Sequence, residues 1–246
     1  MTPIRTAVLL LFATSLAADP LMDVRSALQK LTGREPIHAT YEMQHAIAND
    51  GRFDNDKFSG KASVELEADA SGFRIVFPRP LLDQMDREQL TVARDPKQKS
   101  QTVTALSEID PVATSNAVDF APELLRMLEG AKLLSDGAGT FQGKGVRVMV
   151  LRLPDRLDDD DAKRVKIAEN KLTLWLGSDL VPVGAEHLLN AKFSFLIFKG
   201  ETKQKRSWYF AHVTDRLVRV RHESTSTSSG MGQNGNESVV ATVRVH

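Results

Sequence analysis

The chain of 246 residues contains no cysteine. This absence excludes disulfide bonds, thiolate zinc sites, cysteine nucleophiles, iron–sulfur clusters and the lipidated cysteine of a bacterial lipoprotein. An excess of one charge is also missing, because 32 Lys and Arg stand against 32 Asp and Glu. Proteins that bind nucleic acid by neutralising phosphates carry a basic excess, so we expect no nucleic-acid partner.

Long apolar runs are scarce, and the longest lies at the N-terminus. Residues 6–16 are largely apolar, follow the positive charge of Arg5, and end at the small residues Ser15 and Ala17. This pattern predicts a signal peptide over residues 1–17. The run of about 11 residues is shorter than the ~20 needed to span a bilayer. We therefore expect an exported protein, periplasmic or secreted, whose mature chain has no transmembrane segment.

Signatures of catalysis are missing as well. The six histidines show no zinc-binding spacing. Asp158–Asp161 lacks the alternating acids of a calcium loop. No Gly-x-Ser-x-Gly elbow occurs. We therefore expect no cofactor, no metal and no enzymatic activity; a hydrolase with dispersed catalytic residues is the least favoured alternative.

Hydrophobic periodicity predicts the fold. Apolar residues spaced by three and four over 24–31 indicate a helix, with Asp23 as its cap. From Ile37 the period changes to two, and residues 37–47, 58–68 and 73–77 are predicted as an antiparallel meander with one solvated face.

A helical insertion is predicted over residues 80–130, where Phe120, Leu124 and Leu128 recur every four residues. Strand periodicity returns after residue 132, and the Ser/Thr/Gly/Asn-rich stretch 224–238 is predicted to be a mobile loop. The fold class is therefore mainly β (α+β). We expect one domain over 18–246, a curved antiparallel sheet or half-barrel of about 10–11 strands. The N-terminal helix and the insertion should cover its concave side.

Two segments resemble the LolA/LolB-type periplasmic lipoprotein carriers. One is the helix and alternating strand from Val24 to Gln44, which carries Tyr41. The other is Leu174-Trp-Leu-Gly-Ser-Asp-Leu-Val-Pro-Val183. The chain departs from the family pattern after the third strand, where Pro78-Arg-Pro80 stands in place of a hairpin. The resemblance implies a curved sheet plugged by helices and a lipid or lipidated protein as partner.

An apolar hollow between such a sheet and its helices could bind acyl chains, because burial contributes ~0.8 kcal/mol per CH₂. Strand residues with large apolar side chains are the candidates for its lining. They are Val148, Val150, Trp175, Phe193, Phe195 and Ile197, together with Leu196 and Phe198. Because 193–198 is apolar at successive positions, we also expect both sheet faces to be covered there. The alternative is an ordinary filled core.

A second candidate group would form the rim of the hollow. If two strands pair about the turn at residues 214–216, Trp208 and Phe210 share a face with Arg219 and Arg221. These side chains could hold an anionic or lipid head group. The alternative is cation–π packing between strands.

Together these features predict an exported, non-enzymatic binder or carrier of lipid, lipoprotein or another amphiphile in the cell envelope. The alternative is an envelope protein-interaction or sensor module that uses the same fold with a filled core and binds a protein partner.

Overall fold

The computed structural model describes residues 19–51, 57–158, 160–195, 198–230 and 233–246. The predicted signal peptide over 1–17 lies outside these residues, as do Leu196, Ile197 and the side chains of Phe195 and Phe198. Within the described part, ten strands form one antiparallel sheet that is curved and does not close. The predicted fold class is confirmed.

The strands pair in the order β3-β2-β1-β10-β9-β8-β7-β6-β5-β4. Their bounds are β1 (Ile37–Gly51), β2 (Lys57–Asp69), β3 (Gly72–Val76), β4 (Lys132–Phe141), β5 (Lys144–Arg152), β6 (Val165–Leu176), β7 (Pro182–Phe195), β8 (Phe198–Val213), β9 (Arg216–Gly230) and β10 (Gln233–Val245). The helices are α1 (Pro20–Gln29), α2 (Arg79–Arg94), α3 (Gln101–Ser107), α4 (Pro111–Val118) and α5 (Ala121–Leu128).

The helical insertion connects the two edges of the sheet. β3 lies at one edge and β4 at the other, and α2 to α5 lie between them in the chain. The chain therefore crosses one face of the sheet, which we call the inner face, and the opposite side is the outer face. The prediction of a helical insertion over about 80–130 is confirmed.

Helix α1 begins one turn earlier than its periodicity predicts. Asp19, not Asp23, is the N-cap, because an Asp19 carboxylate oxygen accepts a hydrogen bond from the Leu21 backbone N–H at 3.0 Å. Pro20 follows at the first helical position, where its missing N–H costs nothing. The helix is then joined to the sheet through Asp215, which accepts hydrogen bonds from the Thr32 hydroxyl and from the Arg34 N–H at 2.9 Å.

Two apolar clusters fill the space between the helices and the inner face. The first lies beneath α1 and α5 against β5 to β9, and the second beneath α4 against β1, β2 and β10. Strand β6 shows the alternation, since Leu172, Leu174 and Leu176 are fully buried in the first cluster. Burying these side chains supplies most of the driving force for folding.

Within the segment 224–238 the described residues, 224–230 and 233–238, form strands, so the prediction of a loop there is wrong. β9 continues to Gly230 and β10 resumes at Gln233, so the two strands pair along the stretch predicted to be mobile. β9 also pairs with β8 from Gly200 to Ser207, and β10 pairs with β1 from Asn49 to His45. Backbone pairing on both sides satisfies the N–H and C=O groups, which outweighs the weak strand preference of Ser, Gly and Asn.

Gly60 allows α3 to approach β2, and we expect its substitution to be costly. A Cβ atom at Gly60 would lie 2.5 Å from the Gln101 carbonyl oxygen and 3.0 Å from the Ala105 Cβ. Gly60→Val should therefore lower the free energy of unfolding by about 1–3 kcal/mol, measured by urea denaturation. Gly145→Ala is the control, because a Cβ there meets no atom within 4 Å. Equal effects of the two substitutions would contradict this account of helix packing.

Candidate functional site

The inner face becomes progressively exposed toward the β7–β8 turn. Leu189 and Ala191, at alternate positions of β7, form a half-exposed apolar strip on this face. A second half-exposed apolar group lies on β1, β2 and β10, and polar residues of β8 and β9 separate it from the strip. This second group consists of Ile47, Phe58 and Val239. At the end of the strip Phe193 is 39% exposed, whereas the leucines of β6 beneath the helices are fully buried. The long strands therefore extend beyond the apolar cores and leave an apolar surface facing solvent.

Three stacked rings lie between this strip and the helices. His187 of β7 is 6.4 Å from Trp208 of β8, and Trp208 is 6.2 Å from His222 of β9, measured between ring centroids. Phe120, which precedes α5, packs against Trp208 at 5.4 Å and against Phe210 at 5.2 Å. The rings therefore join three neighbouring strands beneath the helical insertion.

Each of these three rings has a buried nitrogen without a hydrogen-bond partner among the described residues. The atoms are His187 Nδ1, Trp208 Nε1 and His222 Nε2. The other nitrogen of His187, Nε2, is 2.8 Å from Asn170 Oδ1, which orients this imidazole. An unpartnered buried polar atom is unfavourable, so these three nitrogens lower the stability of the region.

Burial keeps both imidazoles neutral at pH 7. Loss of solvation, with a contribution from the charge of Arg206, lowers the pKa of His187 to about 4. The same burial effect, with contributions from Arg219 and Arg206, lowers the pKa of His222 to about 3. The positive charge of this region therefore comes from Arg206 and Arg219.

Neither arginine forms an ion pair with a carboxylate of the described residues at 4 Å or less. Arg219 is 7% exposed, lies over the ring of Phe120 at 5.3 Å, and donates a hydrogen bond to the Ala113 carbonyl at 3.3 Å. Arg206 is the cross-strand neighbour of His187, and burial lowers its pKa. The more distant charges of Glu123 and Glu237 partly oppose this shift. Two poorly compensated guanidinium groups beside neutral rings favour an anionic ligand.

The structure places three of the predicted lining residues on the outer face. Val148, Val150 and Trp175 alternate with the fully buried Met149 and Leu174, so they point away from the helices. The prediction that these three side chains line the interior is corrected.

Trp175 has a different environment on the outer face. It stacks on Phe141 with 5.0 Å between ring centroids, and Phe141 also contacts Tyr209 at 5.8 Å. Gly184 leaves room for this cluster, since a Cβ atom there would clash with the Phe141 ring.

Of the predicted segment 193–198, Phe193 lies on the inner face. The predicted side chains of Phe195, Leu196, Ile197 and Phe198 lie outside the described residues. The expectation that the sheet is covered on both faces is wrong at Phe193, which is 39% exposed.

The predicted rim is divided between the two faces by a β-bulge. Phe210 pairs with Arg219 but Tyr209 pairs with Arg221, so one additional residue of β9, Val220, stands between the two pairs. Such an extra residue reverses the alternation. Phe210 and Arg219 therefore lie inside, whereas Arg221 lies on the outer face and its Nε donates to Glu223 at 2.6 Å.

Sequence reasoning missed Arg206, His187 and His222. The alternation of Arg206, Trp208 and Phe210 along β8 is visible in the sequence, and it places Arg206 on the face of the predicted rim. The two histidines carry no comparable signal, because their proximity depends on the pairing of three strands. Among the described residues no group of His, Asp or Glu side chains is arranged to hold a metal ion. Nor does that part of the chain contain a helix whose length and apolarity would allow it to cross a membrane.

Comparison with known proteins does not assign this chain to a family. No protein-family model and no curated protein sequence matches this chain. Among solved structures the chain is similar to MucB, whose structure was solved in complex with MucA(peri). The two share 10% sequence identity over 91% of this chain and 93% of that chain, with a TM-score of 0.26. A similarity of this degree carries no argument about function.

Proposed function

We propose that the protein is an exported, non-enzymatic binder or carrier of a lipid, a lipidated protein or another amphiphile in the cell envelope. The observation that carries the proposal is the apolar strip on the inner face, which continues into a region with two arginines. A fatty acid or an acidic lipid has the same order of groups, with a hydrocarbon chain that ends at an anionic head group.

The strip is suited to the hydrocarbon part of the ligand. Leu189, Ala191 and Phe193 follow one another at alternate positions of β7 and are not fully covered. An acyl chain along them would remove apolar surface from water on both partners, at ~25 cal/mol per Å². The space beneath the helices is already filled, because the side chains there are fully buried. The tail site is therefore the open strip rather than an interior hollow.

The head group would bind where the strip meets the rings. Arg206, which is half-buried, and the buried Arg219 supply positive charge there. A carboxylate or phosphate oxygen accepts hydrogen bonds from a guanidinium group. The neutral imidazoles of His187 and His222 add polar atoms without adding charge.

Oleate titration tests the proposal through Trp208, which is 4% exposed and lies between the two histidines. In a Trp175→Phe background, the remaining tryptophan reports on the inner face. We expect a saturable fluorescence change, weakened tenfold or more by Leu189→Asp, since a carboxylate on the strip opposes burial of a hydrocarbon chain. Arg206→Gln should weaken the binding of oleate but not the binding of an uncharged alcohol of the same chain length.

Matched controls lie next to these positions on the outer face. Leu188→Asp and Lys205→Gln make the same chemical changes on the opposite side of the same strands. We expect both to leave oleate affinity unchanged. The absence of a Trp208 response, together with native mass spectra free of co-purified lipid, would contradict the proposed function.

A protein partner is the second candidate, and the β4 edge favours it. Among the described strands, β4 has a neighbour on one side only, and Leu133 and Leu134 are exposed on it. An exposed edge strand can pair with an extended segment of another chain. Crosslinking from a photoreactive residue at position 134 would capture one defined protein if this candidate is right, and the oleate titration would then be negative.

A further inference from the structure

Three lysines gather at the end of the sheet where β6 begins and the β7–β8 hairpin turns. Lys166 lies directly opposite Lys192 in the strand register, and Lys199 follows on β8. Like charges directly opposite one another destabilise a sheet. No ion pair joins any of the three to a described carboxylate, whereas on the same face Lys205 pairs with Glu186 at 2.9 Å. An unfavourable arrangement of this kind indicates a ligand of opposite charge.

A groove lies among these side chains. It has a volume of about 320 Å³ and is lined by Arg164, Lys166, Lys192, Phe193 and Lys199. The backbone holds it in place, since the Ser194 N–H donates to the Arg164 carbonyl at 2.8 Å. The groove thus combines several cationic side chains with one exposed aromatic ring.

The nearby acids are engaged in other contacts. Glu201, which lies opposite Lys192 on β8, pairs with Lys203 at 3.3 Å. Asp160 pairs with Lys163 at 2.9 Å, and a carboxylate oxygen of Asp158 accepts hydrogen bonds from the backbone N–H groups of Asp160 and Asp161. The contacts of the two aspartates stabilise the connection that precedes β6. None of these acids lines the groove.

We propose that this end of the sheet docks on an anionic lipid bilayer. Lysines near a bilayer are attracted to lipid phosphates, and their long apolar stems let the ammonium group stay at head-group level. Phe193 supplies an aromatic ring for the interface between head groups and acyl chains. The docking surface shares Phe193 with the end of the apolar strip, whereas its three lysines lie on the outer face, away from Arg206 and Trp208.

Sedimentation with vesicles of phosphatidylcholine, with and without phosphatidylglycerol, tests the proposal on the full mature chain. We expect binding to the anionic vesicles that decreases steeply with salt. The triple variant Lys166→Gln, Lys192→Gln, Lys199→Gln should bind roughly 100-fold more weakly. The matched control removes the same charge from exposed lysines elsewhere, as Lys30→Gln, Lys97→Gln, Lys132→Gln, and should keep full binding.

Phe193→Ser provides a second, independent measurement. It should weaken vesicle binding while leaving the salt dependence unchanged, because it removes an apolar contact and no charge. Circular dichroism confirms that each variant is folded. Equal binding to neutral and anionic vesicles would overturn the proposal. So would a control triple variant that binds anionic vesicles as weakly as the variant with Lys166, Lys192 and Lys199 replaced. Arg206→Gln separates the two proposals, since it should reduce oleate binding and leave vesicle binding intact.

Discussion

Replacing Phe120 by alanine is expected to lower the free energy of unfolding by about 3–5 kcal/mol. The ring is 2% exposed and packs on Trp208, Phe210 and the Arg219 guanidinium. Its loss would leave a cavity between the insertion and the sheet, and the charge of Arg219 would lose its aromatic partner. The Phe120 backbone N–H also donates to the Leu217 carbonyl at 2.8 Å, so this residue holds the start of α5 on β9.

Urea denaturation measures this effect, with Leu90→Ala as the control. Leu90 lies in α2 and is 59% exposed, so its truncation should change the free energy of unfolding by no more than about 0.5 kcal/mol. A loss for Phe120→Ala below about 1 kcal/mol would show that the insertion is not held on the sheet by this ring.

Acidification is expected to destabilise the protein between about pH 6.5 and pH 4. Burial lowers the pKa of His187 to about 4 and of His222 to about 3, below the ordinary value of 6.5 in an unfolded chain. In this window the unfolded state binds protons that the folded state does not, so the free energy of unfolding falls as pH falls. Each pKa unit corresponds to about 1.4 kcal/mol. By pH 4.5 the loss should reach about 2–3 kcal/mol for each histidine.

Single substitutions separate this effect from carboxylate titration. His222→Gln should reduce the slope of unfolding free energy against pH by about one proton in this window. Hydrogen bonds from Thr32, Arg34 and Glu35 lower the pKa of Asp215 to about 2, so its stabilising contribution is lost only below about pH 4. An unchanged slope in His222→Gln would contradict the inferred burial of this imidazole.

The strands and the helical insertion could be predicted because each has its own period. Alternation identified β1, β2 and β3, and the spacing of Phe120, Leu124 and Leu128 identified α5. The pattern did not identify β9 and β10 over 224–238. Ser, Gly and Asn have no apolar period there, and these strands are held by neighbours that are remote in sequence.

The candidate site could be predicted only in part, for a reason that β5 and β6 show. Both strands are apolar at successive positions. Alternation therefore places Trp175 and Leu174 on opposite faces of the sheet, but it does not decide which of the two side chains points toward the helices. The leucines occupy the interior, and Trp175 packs with Phe141, which comes from a third strand. In β9 a single bulge placed Arg219 inside and Arg221 outside.

The sequence by itself determined that the chain is mainly β, has no disulfide, and carries an insertion of helices between two groups of strands. These properties follow from composition and from periods that span a few neighbouring residues. Only the tertiary structure decided that Arg206, His187 and His222 meet on one face of the sheet, and that lysines of three strands lie together at one end of the sheet. Such contacts depend on strand register and on a bulge, and both are set by packing between residues far apart in the chain.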